Sequence, residues 1–240
     1  MKVALIGYGK MGKSIEEILN QQNDTVVLKI GSGNIDDLTK SNLQQADVAI
    51  EFTAPHLAVQ HIQLCVEAGV PVVCGTTGWS ADLNTITKYC NAHNSKLVHA
   101  PNFSIGVNLF FEINKIVAAM FSSHPDYKLS ITEIHHTEKK EAPSGTAIQL
   151  ANIIMQSNPV FKSWVNNSSE INSEIPITSI REQGVPGTHS IEYDSAVDTI
   201  SLTHVAKSRY GFASGAVLAA KWLLQQSSGV YTMRDVLKLH

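Results

Sequence analysis

An apolar run, Val3-Ala4-Leu5-Ile6, breaks at Gly7-Tyr8-Gly9-Lys10-Met11-Gly12, and Ile15, Ile18 and Leu19 then recur at helical spacing. A strand, a tight glycine turn and a helix in that order leave few folds open to the chain. Apolar, β-branched runs follow at 25–30, 47–52 and 70–74, with helical stretches at 57–68 and 80–92 between them. Buried strands that alternate with helices imply a parallel sheet with crossover helices.

The texture changes from about Pro101. Residues 108–121 read as an amphipathic helix, 128–133 as an alternating strand and 146–156 as a second helix. Beyond a polar stretch at 165–174, the runs 175–181, 190–193 and 199–204 have the pattern of antiparallel strands. In the last of these Ile200, Leu202 and His204 share one face, and Thr199, Ser201 and Thr203 the other. An alanine-rich helix returns at 212–225. The expected organisation is α/β: a Rossmann-type parallel-sheet domain of residues 1–103 completed by 209–240, with an α+β domain of 104–208 inserted between.

Composition narrows the function classes. A formal charge of −3 without a basic run argues against nucleic-acid binding. The three cysteines, Cys65, Cys74 and Cys90, have no C-x-x-C spacing, which suits reduced thiols and a cytoplasmic location better than disulfides or zinc. The N-terminal apolar run meets Gly7 too soon for a signal-peptide core, and no apolar run has the length of a membrane span, so neither secretion nor a membrane partner is expected.

Gly7-x-Gly9-x-x-Gly12 sits where a dinucleotide-binding turn needs it, so that backbone N–H groups and the positive end of a helix face a pyrophosphate; the alternative is a tight structural turn. The acidic residue that would bind NAD ribose hydroxyls about 20 residues further on is absent. Lys29 stands there instead, either facing a 2′-phosphate or solvated on the surface. Gly75-Thr76-Thr77-Gly78 follows an apolar strand, where ligands of open α/β sheets bind; it serves either for close backbone approach to a flat ring or as a turn with a threonine cap.

The most informative stretch runs from Glu133 through His135, His136, Lys139, Glu141 and Pro143 to Ala147. Ser144-Gly145-Thr146 opens a helix whose N–H groups suit a carboxylate. His135 and Lys139, just upstream, can supply protons or positive charge beside such an anion. A surface histidine pair and a solvated charged loop is the competing reading. A metal site built from His135, His136, His189 and His204 lacks ligand spacing, and none is expected.

The run Glu-Ile-His-His, then Lys139, then Ala-Pro-Ser-Gly-Thr-Ala resembles the substrate motif of the 4-hydroxy-tetrahydrodipicolinate reductase family, E-x-H-H-x-x-K-x-D-A-P-S-G-T. Gly75-Thr76-Thr77-Gly78-Trp79, the segment Ala100 to Asn108 and His204-x-Ala206-x-Ser208-Arg209 are also similar to that family's motifs, in its order. The resemblance implies His135 as proton donor or acceptor and Lys139 as second proton donor. It implies His136, Gly145 and Thr146 as contacts to substrate carboxylates. Gly7, Tyr8, Gly9, Lys10, Met11 and Gly12, with Lys29, Gly75, Thr76, Thr77, Ala100, Pro101, Asn102 and Phe103, would form the cofactor site. It further implies NADPH or NADH as cofactor, a small dicarboxylate substrate, hydride transfer to a cyclic imine, and a homotetramer built through the inserted substrate-binding and oligomerisation domain.

Some positions depart from the motifs. Glu141 replaces Asp, the glycine turn is one residue shorter than G-x-x-G-x-x-G, and Val185-Pro186-Gly187-Thr188-His189 replaces V-G-x-H, so no role is carried onto His189. The competing functions are another two-domain amino-acid or imine dehydrogenase, such as an aspartate dehydrogenase, and a non-catalytic nucleotide sensor. Neither accounts for His-His-x-x-Lys joined to Pro-Ser-Gly-Thr.

Overall fold

The computed structural model describes residues 1–239. Along the chain run β1 (Lys2–Ile6), α1 (Lys10–Gln21), β2 (Thr25–Ile30), α2 (Lys40–Leu43), β3 (Val48–Glu51), α3 (Pro55–Ala68), β4 (Val72–Cys74), α4 (Leu83–Ala92), β5 (Lys96–His99) and α5 (Ile105–Phe121). Then come β6 (Lys128–His135), α6 (Gly145–Ser157), β7 (Ser163–Asn166), β8 (Glu174–Arg181), β9 (Thr188–Asp194), β10 (Thr199–Val205), α7 (Tyr210–Leu224), β11 (Gly229–Tyr231) and α8 (Met233–Val236). Two compact units result, one of Met1–Ile105 with the segment from Arg209 onward, the other of Gly106–Ser208.

In the first unit six strands lie in the order β11-β5-β4-β3-β1-β2, every pair parallel. β1 has β2 on one side and β3 on the other, so the strand order reverses at its carboxyl end, where the glycine turn lies. Val3, Leu5, Ile15, Ile18 and Leu19 are fully buried with Ala213, Ala216, Val217 and Leu223 of α7, which is why the alanine-rich helix near the C-terminus belongs to this unit. Burying Ile18 or Leu19 contributes about 1.5–3 kcal/mol each. α7 lies so close to the chain that a Cβ on Gly215 would stand 1.8 Å from the carbonyl oxygen of Phe103. On the opposite side Ala4, Ile6, Ile62, Cys65, Ile86 and Leu97 form a second core. The three cysteines are free and buried.

The second unit is a mixed sheet, β10-β9-β6-β8-β7. β9 runs antiparallel to β6 and β10, but β8 runs parallel to both β6 and β7, correcting the expectation that 175–181 is an antiparallel strand. Leu129, Ile131, Ile175, Ile177, Ile191 and Tyr193 face Phe110 and Ala118 of α5 and Leu150, Ala151 and Ile154 of α6. Buried Asn114 of α5 donates to the Leu150 carbonyl of α6 at 3.0 Å, tying the two helices together. Leu202 packs against this core, so the face that includes Ile200 and Leu202 is the helix-covered side.

Candidate active site

The N–H of Gly7 donates to the Ile30 carbonyl at 2.9 Å, and Gly7 has φ +100°, open to glycine but strained for other residues. A Cβ there would stand 1.9 Å from the Phe52 carbonyl oxygen, and one on Gly75 would stand 2.1 Å from the Phe52 ring. Glycine at both positions lets the loops after β1 and β4 close around Phe52. They leave a cleft of about 340 Å³ lined by Gly7, Gly9, Lys10, Met11, Phe52, Thr53, Pro55, Gly75, Thr76 and Thr77. A Cβ on Gly9 would meet nothing within 4 Å, and the first turn of α1 has no acidic residue. This is the cradle that a pyrophosphate needs: open backbone at the positive end of a 12-residue helix.

A second cleft, of about 290 Å³, shares Thr76 and Thr77 with the first and adds Gly78, Trp79, Leu83, His99, Ala100 and Pro101. Five of the sequence-derived cofactor residues, Tyr8, Gly12, Lys29, Asn102 and Phe103, line neither cleft. Gly12 is buried against the Gly7 carbonyl, Asn102 accepts from the Ser104 N–H at 2.8 Å, Phe103 packs in the core, and the Tyr8 hydroxyl bonds to Glu16. Lys29 forms a 2.5 Å ion pair with the same Glu16 and lies 5.2 Å from the centre of the Tyr8 ring. The two loops of the first cleft are joined beneath by Glu51, a fully buried carboxylate. Glu51 accepts from Thr53, lies 3.4 Å from His61 Nδ1 and accepts from the Cys74 thiol at 3.1 Å, while the Thr53 N–H donates to Thr76 Oγ1 at 2.7 Å. Burial pushes the Glu51 carboxyl up, but these donors outweigh it and hold it below the usual carboxylate range.

In the second unit the chemistry collects at the carboxyl end of β6. Glu133 and His135 are two residues apart on a strand, so they share its buried face, and His135 Nδ1 bonds to a Glu133 carboxylate oxygen. The other oxygen accepts from Arg181 Nη1 at 2.9 Å. Burial alone would push the Glu133 carboxyl up; the hydrogen bond from His135 and the Arg181 guanidinium outweigh it and hold the carboxyl at about 2. An ionised carboxylate only accepts, so the imidazole proton sits on Nδ1, and Nε2 is left as the nitrogen that can exchange a proton with a ligand. Gly187 backs that nitrogen, since a Cβ on it would lie 3.0 Å away.

His189 of β9 lies edge-on to His135 with ring centres 5.0 Å apart, and its Nε2 is 2.9 Å from Ser144 Oγ. Ser144 caps α6 by accepting from the Ala147 N–H at 3.2 Å. Gly145 and Thr146 therefore begin a helix whose capping residue touches the histidine cluster. A Cβ on Gly145 would meet nothing within 4 Å, so the helix start is open there. Lys139 Nζ is 3.3 Å from Glu141, and His136 Nδ1 and His189 Nδ1 are buried without a hydrogen-bond partner among the described residues. Donor atoms of Glu133, His135 and His189 lie within 4.8 Å of one another, but the Glu133 carboxylate is already committed to Arg181 and to His135 Nδ1.

Sequence reasoning placed Ser144 at the start of the helix but not beside His189, and it gave Glu133, Arg181 and His189 no role in this group. The period-two spacing of Glu133 and His135 was the available signal for Glu133. No local signal existed for Arg181 or His189, which arrive by strand pairing: Arg181 opposite His135, and His189 opposite Glu133.

Residues 1–103 match the family model for the N-terminus of dihydrodipicolinate reductase, and residues 106–237 match that for its C-terminus. The chain is 44% identical to the 4-hydroxy-tetrahydrodipicolinate reductase of Christiangramia forsetii, covering 99% of this chain and 98% of the relative. It is 34% identical to the enzyme of the same name from Syntrophus aciditrophicus, covering 96% of each. Among solved structures, the dipicolinate-bound dihydrodipicolinate reductase from Paenisporosarcina sp. TG-14 superposes with a TM-score of 0.78 at 27% identity, covering 97% of both chains. With both halves of the chain matched in order, and a glycine cradle in one unit and a histidine–carboxylate group in the other, this chain belongs to the dihydrodipicolinate reductase family.

Proposed function

We propose that this chain reduces the cyclic imine derived from 4-hydroxy-tetrahydrodipicolinate to tetrahydrodipicolinate, with NADH or NADPH as reductant, in the diaminopimelate route to lysine. The observation that carries the reading is the pairing of Glu133 with His135 beside the open start of α6 and the Lys139 loop. The glycine turn, Thr76 and Thr77 hold the cofactor, whose nicotinamide supplies the hydride when bound. Backbone N–H groups at Gly145 and Thr146, with His136, take substrate carboxylates. The Paenisporosarcina relative holds dipicolinate, a small dicarboxylate, and this helix start suits the same class.

His135 Nε2 and Lys139 Nζ handle the proton that must reach the reduced ring. Glu133 keeps the imidazole in one tautomer, which makes Nε2 the working atom. Three free, buried cysteines favour a reducing compartment, and we place the protein in the cytoplasm. One side of the second sheet carries its helices, and the other presents hydroxyl-rich positions such as Ser190 and Thr203, bonded at 3.0 Å. We assign that face to assembly as a homotetramer, which light scattering of the purified protein tests.

The decisive experiment follows nicotinamide absorbance with freshly generated 4-hydroxy-tetrahydrodipicolinate, with NADH and NADPH in parallel. Oxidation that requires both enzyme and substrate is the expected result. Tight cofactor binding with no turnover of that substrate overturns the assignment.

A further inference from the structure

Arg181 ends β8 directly opposite His135, which ends β6. Besides a 2.9 Å bond from Nη1 to the carbonyl of its own neighbour Ile180, its guanidinium makes three contacts that reach beyond β8. Nη1 donates to the Glu133 carboxylate at 2.9 Å, Nε donates to the Lys139 carbonyl at 3.2 Å, and Nη2 donates to the Glu141 carbonyl at 2.6 Å. The first contact reaches the carboxylate that orients the His135 imidazole. The other two grip the backbone of the loop that carries Lys139, one bond at Lys139 itself and one two residues beyond. No other side chain among the hydrogen bonds described for this unit joins both proton-handling groups.

We infer that Arg181 is a positioning residue that sets His135 and Lys139 with a single planar cation, an inference that rests on the proton roles proposed above. The geometry requires arginine. A lysine ammonium can neutralise Glu133, but it has no rigid fork with which to reach two carbonyls and a carboxylate together. The two arms of the clamp are therefore separable. Loss of the Glu133 arm frees the His135 ring and leaves the loop held, whereas Arg181→Lys keeps a charge near Glu133 and releases the loop.

The test uses the full chain with Arg181→Lys, Arg181→Met, Glu133→Gln and Lys139→Ala. Limited trypsin digestion reads the loop through the rate of cleavage after Lys139 and Lys140. Fluorescence titration with NADPH and thermal melting report the first unit and the fold. The clamp predicts that Arg181→Lys accelerates cleavage after Lys140 by about tenfold or more, because local opening governs the cut. It predicts that kcat falls by about 100-fold, the scale of a displaced catalytic group, with substrate KM and NADPH affinity little changed. Glu133→Gln should lower kcat without speeding the cut. In the Lys139→Ala background, Arg181→Lys should cost much less than in wild type, since one of the groups it positions is gone.

A full, additive loss in that background marks a general structural defect and overturns the inference. Unchanged cleavage in both Arg181 variants overturns it too, whatever the substrate proves to be. If wild-type protein does not turn over 4-hydroxy-tetrahydrodipicolinate, the proposed function falls, and the cleavage rates alone then decide whether the clamp exists. Should Arg181→Met fail to fold, Arg181→Lys decides the question alone.

Discussion

Two glycines of one turn should fail in opposite ways when each becomes alanine. Gly7→Ala places a methyl 1.9 Å from the Phe52 carbonyl oxygen on a residue with φ +100°. The backbone strain costs about 1–3 kcal/mol and the overlap about 1–3 more, a total of about 2–6 kcal/mol. For a chain of this length each kcal/mol moves Tm by about 2–4 °C, so the variant should melt on the order of 5–20 °C lower. Gly9→Ala adds a methyl that meets nothing within 4 Å, at φ −91° and ψ −151°, extended backbone that alanine adopts without strain. Its stability should stay within about 0.5 kcal/mol of wild type. The same methyl stands where the backbone must approach a pyrophosphate, so cofactor affinity should fall by about 10- to 100-fold. Thermal melting without cofactor and fluorescence titration with NADH and NADPH separate the two effects. Wild-type cofactor affinity in Gly9→Ala would refute the assignment of this turn to the phosphates, and a wild-type Tm in Gly7→Ala would refute the packing against Phe52.

Other perturbations probe the remaining parts of the site. His135→Ala and Lys139→Ala should each lower kcat by about 10²- to 10⁴-fold, the scale of general acid–base catalysis, while NADPH affinity by fluorescence stays near wild type; an equal loss of cofactor affinity would remove them from the proton chemistry. Glu16→Gln releases Lys29 from its 2.5 Å ion pair, and if Lys29 faces the 2′-phosphate the ratio of NADPH to NADH affinity should rise by up to about fivefold; an unchanged ratio returns Lys29 to the surface. His189 is held neutral by burial, its ionisation depressed from 6.5 to about 3, so at intermediate pH the unfolded chain binds the extra proton. Stability is therefore unaffected by this group above about pH 6.5, falls as pH drops, and has lost on the order of a few kcal/mol by about pH 3. Denaturant titrations at several pH values should show a gentler acid slope in His189→Gln; an identical slope would rule out His189 as its source.

Much of the fold was legible because the first unit announces itself locally. The period changes from two to 3.6 across Gly7–Gly12, and the later apolar runs at 47–52 and 70–74 are each followed by a helical stretch, at 57–68 and 80–92. β5 and β11 were not legible. β5 has only Leu97 and Val98 between Lys96 and His99, and β11 has just three half-buried residues, Gly229 to Tyr231, so both exist because a neighbouring parallel strand supplies their hydrogen bonds. The direction of β8 was unreadable for a related reason, since alternation is the same whether the partner runs parallel or antiparallel. In the site, His135, Lys139 and the start of α6 were visible as residue types in one continuous stretch. Arg181 and His189 lie 46 and 54 residues from His135 and enter only through pairing with β6.

That pairing also explains why a fully buried carboxylate is tolerated in the core of a small mixed sheet. Removing Glu133 from water costs several kcal/mol, and the bonds from His135 and Arg181 offset that cost without making the group a source of net stability. A buried charge pair can often be exchanged for apolar side chains with little loss of stability, so stability gives no reason to keep this one. Positioning does. With Arg181 opposite His135 and His189 opposite Glu133, the register of three strands delivers a carboxylate, its counterion and a second imidazole to one side of a histidine that its carboxylate holds in a single tautomer. A one-residue slip of β8 would carry Arg181 to the opposite face and leave Glu133 charged, with its bond to His135 but without its cation. The energetic penalty of that slip enforces the register, and the register in turn aims His135; the charged network thus specifies the pairing on which the site depends.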